Sequence, residues 1–152
     1  MKYTTSQHRY NTLDQYLKTR FKQKTFKVAL NGDFSCPNRD GSISNQGCIF
    51  CSEKGSGDFA GDKSESLASQ FNTVKNIIHK KWKDAIYIVY FQANTNTYAS
   101  IDKLKHLFEE AITLDPNIVA ISIATRPDCL SPETIEYLSK QVYGCLIQIN
   151  IL

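Results

Sequence analysis

The sequence predicts an α/β fold built on a parallel sheet. Two observations carry this prediction. Short, continuous apolar runs rich in β-branched and aromatic side chains recur along the chain, as strands buried on both faces require. Between them lie stretches whose apolar residues repeat at helical spacing, so strands and helices alternate. A third feature interrupts the alternation. Residues 31–64 consist largely of Gly, Ser, Asn, Asp and Cys, and a loop of that length inside a domain is usually functional or disordered.

Residues 11–21 are predicted as a helix with Leu13, Tyr16, Leu17 and Phe21 on one face. Phe26 to Leu30 is a short apolar strand that feeds the long loop. A helix is expected from about Ser64 to Trp82, burying Leu67, Phe71, Val74 and Ile78. The run AIYIVYF at 85–91 is the next strand, followed by a polar connection at 92–99. Ser100 is the N-cap of a helix whose inner face carries Ile101, Leu104, Leu107, Phe108, Ala111 and Ile112. IVAISIA at 118–124 is the third strand. Ser131, Pro132 and Glu133 start a further helix with an N-cap, a proline in the first turn and an acid at the positive dipole end. Residues 144–152 read as one more strand. Right-handed crossovers then bring every strand's C-terminal end to one edge.

The chain has 152 residues, 41% hydrophobic and 22% charged, which suits one globular domain with a sizeable core. The longest apolar runs, 85–91 and 118–124, hold seven residues each, against the roughly 20 that a bilayer demands. Residues 1–10 carry no apolar stretch of the secretory kind. Five cysteines, an odd number at uneven spacings, do not form a secreted disulfide framework. The expectation is a cytoplasmic protein, without a membrane partner, whose cysteines serve metal binding or catalysis. Residues 1–30 hold seven basic side chains against one acid, or +6, so the formal net charge of +3 leaves −3 for residues 31–152. A basic arm of this kind either steers the chain to phosphate backbones or is simply a solvated surface.

The sharpest motif is Cys36, Cys48 and Cys51 in CPNRDGSISNQGCIFC, with spacing C-x11-C-x2-C. Two thiolates separated by two residues grip a metal centre from a tight turn, and the third reaches it across a Gly- and Asn-rich loop. Three cysteines are one ligand short of a structural zinc site and one short of the usual four-cysteine iron–sulfur cluster. Either Cys129 completes a zinc knuckle, or a cluster keeps one iron open. Apart from that role, Cys129 and Cys145 are small apolar residues of the core. Two strand-end segments follow, where parallel sheets build their sites. The first, QANTNT at 92–97, is either a site element or a polar turn that caps the next helix. In the second, Thr125-Arg126-Pro127-Asp128, Arg126 either clamps a carboxylate or phosphate or pairs with Asp128. Gly55, Gly57 and Gly61 lack the Gly-Lys-Ser/Thr ending of a phosphate loop. His8, His79 and His106 are scattered, with His79 and His106 expected on helix surfaces.

The cysteine loop, with Phe50 just before Cys51, resembles the cluster loop of radical S-adenosylmethionine (SAM) enzymes. KVALNGDFSCPNRDGSISNQGCIFC, GSGDFAG, KWKDAIYIVYFQANTNTYA and ISIATRPDCL, in that order, resemble the YhcC/YtqA-like radical SAM family, itself related to the radical SAM domain of the Elongator catalytic subunit. The match runs from about residue 10 to about residue 140.

The resemblance implies an α/β fold that is the N-terminal half of a partial (βα)6 TIM-like barrel. It divides the chain into a basic helical extension at 1–25, a core at 26–143 with its cluster loop at 31–64, and a divergent tail at 144–152. It implies a [4Fe-4S] cluster on Cys36, Cys48 and Cys51, with S-adenosyl-L-methionine (SAM) on the fourth iron and one-electron cleavage to a 5′-deoxyadenosyl radical. Phe50, Gln92, Asn94, Thr95 and Arg126 become SAM contacts, Phe50 near the cluster and adenine. tRNA, modified at wobble uridine, is the implied substrate, and a flavodoxin- or ferredoxin-type protein the implied electron donor. Because members of the family continue well past residue 150, the chain is expected to be a truncated or frameshifted copy. The alternative is a non-catalytic fragment that binds zinc or an iron–sulfur cluster.

Overall fold

The computed structural model describes residue 10, residues 12–140 and residues 145–151. Lys2 and Arg9 of the basic arm, Asn11 of the first helix, Gly144 and Leu152 of the tail, and the scattered His8 lie outside the described residues.

Four strands, β1 (Thr25–Leu30), β2 (Ile86–Phe91), β3 (Ile118–Thr125) and β4 (Leu146–Ile151), form one parallel sheet in the order β1-β2-β3-β4. The helices are α1 (Leu13–Phe21), α2 (Leu67–His79), α3 (Ile101–Thr113) and α4 (Pro132–Lys140). The last three are the successive crossovers, so strands and helices alternate as the sequence predicts. Thr12, Ser66 and Ser100 cap α1, α2 and α3, each accepting an N–H from three residues on. Ser131 caps α4 in the same way, its Oγ taking the Thr134 N–H at 3.1 Å.

Helix α2 is shorter than its periodicity suggests. Asp62 Oδ1 accepts both the N–H and the hydroxyl of Ser64, at 2.9 and 2.8 Å, which commits residues 62–65 to a turn before the cap. At its other end the helix stops at His79, and the Lys81 and Trp82 N–H groups both close onto the Ile78 carbonyl, at 3.1 and 2.9 Å.

Strand alternation sorts the core. Val28, Leu30, Tyr87, Val89, Phe91, Ile121 and Ile123 face one way and pack with Leu67 and Phe71 of α2, Leu104 and Phe108 of α3, and Tyr137 and Leu138 of α4. All three crossover helices therefore cover one face of the sheet. Burying each such large side chain contributes about 1.5–3 kcal/mol. The other face carries Ile88 and Ala120, covered by Leu17 of α1. Further up this face Ser122, fully buried, accepts the Asn150 amide N–H at 2.8 Å and donates to Gln148 Oε1 at 3.2 Å. The central strands β2 and β3 are buried nearly throughout, whereas β1 and β4 at the edges are half-buried. Because every pairing is parallel, the ends at Leu30, Phe91, Thr125 and Ile151 share one edge. Among the described residues no helix is long and apolar enough to cross a membrane.

Candidate functional site

The loop after β1 begins as a series of tight turns around Cys36. The Arg39 and Asp40 N–H groups both bond to the Cys36 carbonyl, at 2.8 and 3.1 Å, and the Cys51 N–H bonds to the Cys48 carbonyl at 3.0 Å. The hydrogen bond from Cys51 to Cys48 closes the turn that a C-x2-C pair requires. Arg39 straps the two halves of the loop, donating to the Glu53 carbonyl at 2.8 Å and to the Ser52 carbonyl. Two sulfurs receive donors: Asn38 Nδ2 lies 2.9 Å from Cys48 Sγ, and Ser56 Oγ lies 3.2 Å from Cys51 Sγ.

Backbone contacts fasten this loop to the end of β2. The Asn94 N–H bonds to the Gly55 carbonyl at 2.8 Å, and the Thr95 N–H to the Ser35 carbonyl at 3.1 Å. The Asn94 side-chain amide reaches the Phe34 carbonyl at 3.0 Å. Gly55 has φ +61°, and a Cβ there would lie 1.9 Å from Asn94 Oδ1, so both backbone and space demand glycine.

A second fastening comes from Gln70, a side chain the sequence reading passed over. It sits three residues after Leu67, on the buried side of α2, and is 3% exposed. Its Oε1 accepts the Asn31 N–H at 2.8 Å, and its Nε2 donates to the carbonyls of Asn31, Asp62 and Glu65 at 3.2, 3.0 and 3.0 Å. One amide thus ties both ends of the long loop to the helix. A polar residue inside an apolar stripe was the signal available in the sequence.

These contacts shape a pocket of about 230 Å³ at the strands' C-terminal edge. Cys36, Cys48 and Cys51 line it together with Phe50, Asn94, Thr95 and Arg126. Seven of the eight residues singled out in the sequence therefore share one cavity. Thr95 is buried, whereas Phe50 is 74% exposed and offers the pocket only part of its ring. Gln92 is the exception and does not line the pocket. It follows Tyr90 by two positions and so continues the sheet face opposite α2, α3 and α4.

Arg126 engages Asp128 bidentately, Nε to Oδ1 at 2.9 Å and Nη2 to Oδ2 at 2.7 Å. The internal pair considered from sequence therefore exists, and both partners line the pocket. The Arg126 hydrogen bonds hold the Asp128 carboxyl below the usual carboxylate range, and the same bonds raise the Arg126 guanidinium. Arg39 and Asp128 were not singled out beforehand as pocket residues.

Cys129 and Cys145 stand apart. Neither lines the cysteine pocket. Burial, then the nearby Asp128, pushes the Cys129 thiol up, and burial alone raises Cys145. Both shifts favour the neutral thiol over a metal-binding thiolate. His106 is an exposed helix residue, as expected. His79 is not: its ring stacks on Tyr87 with centroids 6.2 Å apart, and its Nε2 is buried.

Among the described residues, no three Cys, His, Asp or Glu side chains converge as the ligands of a single metal ion would. The three thiols instead share one cavity without meeting at a point. Three thiolates are a soft donor set of the kind that both zinc sites and iron–sulfur clusters draw on.

Comparison with known proteins finds relatives of this chain. The chain is 51% identical over 138 residues to the uncharacterized protein YtqA of Bacillus subtilis, covering 91% of this chain and 42% of that protein. It is 37% identical over 122 residues to protein YhcC of Escherichia coli K12, covering 80% and 38%. It is 35% identical over 133 residues to the uncharacterized protein MJ0486 of Methanocaldococcus jannaschii, covering 84% and 38%. The chain thus spans roughly two-fifths of the length of these relatives. No family model matches the chain, and no solved structure matches it.

Proposed function

We propose that the chain carries the cluster-binding half of a radical SAM barrel. In this reading Cys36, Cys48 and Cys51 hold a [4Fe-4S] cluster and the rest of the pocket receives SAM. The observation that carries it is three thiols of a C-x11-C-x2-C loop around one cavity, on the sheet edge where parallel strands build sites. The winding supports the barrel component. Sequential strands with all three crossover helices on one face follow the pattern of a barrel wall rather than that of a doubly wound sheet.

When bound, the cluster and SAM supply one-electron chemistry that generates a 5′-deoxyadenosyl radical. The chain's own residues hold and tune that group. Asn38 and Ser56 donate to the sulfurs of Cys48 and Cys51, and such hydrogen bonds are one of the protein's controls over cluster potential. Arg39 fixes the loop around them. Arg126 spends Nε and Nη2 on Asp128 and keeps Nη1 as a donor for the SAM carboxylate. Asn94, anchored through Nδ2, offers Oδ1 to the SAM ammonium group. Thr95 and Phe50 complete the wall, and Phe50 would pack against the adenine of bound SAM. Gln92 does not line this pocket. The substrate in this reading is tRNA at wobble uridine, and the reductant is of the flavodoxin or ferredoxin type. Both rest on the family resemblance.

Anaerobic reconstitution with iron and sulfide tests the cluster. The expected product is brown and holds about four irons per chain, and Cys36→Ala, Cys48→Ala or Cys51→Ala each removes most of that iron. A colourless protein that takes one zinc per chain, lost on Cys129→Ala, overturns the proposal in favour of a zinc module.

A further inference from the structure

The edge of the sheet opposite the cysteine pocket carries an unexplained concentration of lysines around the chain's single tryptophan. Lys22 and Lys24 lie just before β1, and Lys80, Lys81 and Lys83 lie between α2 and β2. The register Thr25↔Ile86 sets these two segments side by side, and the Ile86 N–H bonds to the Lys24 carbonyl at 3.1 Å. All five lysines are exposed. None of their ammonium groups has an acidic or hydrogen-bonding partner among the described residues. Asp84 is the one acid adjoining them in sequence.

Trp82 stands among them, 41% exposed. Its ring packs against Phe26 with centroids 6.1 Å apart. Lys24 Nζ lies 5.8 Å from the ring centroids of both Phe26 and Trp82, and Lys81 Nζ lies 5.6 Å from that of Trp82. A fold needs no such group for stability, because five like charges at one edge repel one another. Their natural complement is a polyanion, and a half-exposed aromatic ring among cations adds a stacking platform. Those are the two elements that sequence-tolerant binding of single-stranded nucleic acid combines. An acidic membrane would be met by several apolar side chains on one face, whereas here one ring stands among lysines.

We propose that this edge binds single-stranded nucleic acid, with Trp82 stacking on a base and the five lysines contacting phosphates. The surface needs no cluster, so it stands or falls separately from the cysteine pocket.

The test uses the full chain in reduced form and a ten-nucleotide oligouridine, about the site size of one small binding domain. Trp82 emission is followed alongside the anisotropy of labelled RNA. RNA is expected to quench Trp82, and log affinity is expected to fall with log salt concentration at about −0.7 per phosphate contacted. Lys81→Gln with Lys83→Gln should flatten that slope by about 1.4 without moving the melting temperature. Trp82→Leu should weaken binding at least about 5-fold. Three results overturn the proposal: no binding, binding that leaves Trp82 emission unchanged, or a salt slope indifferent to the two lysine substitutions. A blue shift of Trp82 with phosphatidylserine vesicles, where RNA has no effect, would assign the edge to a membrane surface instead.

Discussion

Replacing Gln70 tests how the long loop is held, and the structure sets the magnitude. The Gln70 amide makes four hydrogen bonds from a site that is 3% exposed. Leucine fills the same volume and makes none of them. The Asn31 N–H, part-buried, loses its acceptor, and an unsatisfied group of that kind costs about 1–3 kcal/mol. Asp62 and Glu65 lie in an exposed turn, so water recovers much of what their carbonyls lose. The sum for Gln70→Leu is about 2–4 kcal/mol. With a urea m-value near 2 kcal/mol/M, the midpoint falls by about 1–2 M. Gln70→Glu discriminates further. It keeps the acceptor for Asn31 but turns a carboxylate toward three carbonyls, so at neutral pH it should be less stable than the leucine variant. Its carboxyl is driven toward the neutral form, so its penalty fades as pH falls and grows as pH rises. Urea unfolding at two pH values reads all of this. A Gln70→Leu midpoint within about 0.3 M of the parent, or a glutamate variant indifferent to pH, would refute the reasoning.

Three further outcomes follow from the same geometry. Gly55→Ala combines a left-handed φ, costing about 1 kcal/mol, with displacement of Asn94 and its bond to Phe34, about 1 kcal/mol more. Thermal melting should drop accordingly and iron loading should fall with it, while unchanged values for both would remove Gly55 from the pocket's construction. The Asp128 carboxyl, held low by Arg126, should titrate below the ordinary carboxylate range. Its contribution is complete above its unfolded pKa and lost as pH falls through the folded one. The Arg126 Nε–H resonance should report that step and lose it in Asp128→Asn, and a titration in the ordinary range would contradict the pairing. Lys75 reaches Asp115 Oδ2 at 2.5 Å, the carboxylate being 6% exposed and the lysine 25%. Lys75→Met should cost roughly 1–3 kcal/mol, less than for a fully buried pair, and a calorimetric scan unchanged by the substitution would refute this.

What the sequence reveals depends on how local each cause is. Ser100 and Ser131 were readable as caps because their partners lie three residues away. The strands were readable because two-sided burial leaves continuous apolar runs. The cysteine loop stood out by its C-x11-C-x2-C spacing, and its three thiols line one pocket. Gln92 lies outside the pocket: strand-end position was readable but its face was not, since adjacent residues of one strand point to opposite sides. Gln70 was missed because its partner Asn31 lies 39 residues away, so a buried amide resembled a lapse in an apolar stripe. For Arg126 the sequence held both a pocket role and a pair with Asp128 open. The structure contains the pair while keeping both residues on the pocket wall. His79 differed from expectation for a tertiary reason, the stacking surface offered by Tyr87 of β2.

The central claim, that three thiols hold a cluster with one iron left for SAM, is tested most directly by electron paramagnetic resonance. The reconstituted chain is reduced with dithionite and its spectrum recorded before and after SAM is added. The account predicts the signal of a reduced four-iron cluster that changes shape on adding SAM, with Arg126→Ala weakening the SAM dependence and Cys48→Ala abolishing the signal. A cluster signal that SAM does not alter, or one that survives in Cys48→Ala, would contradict it.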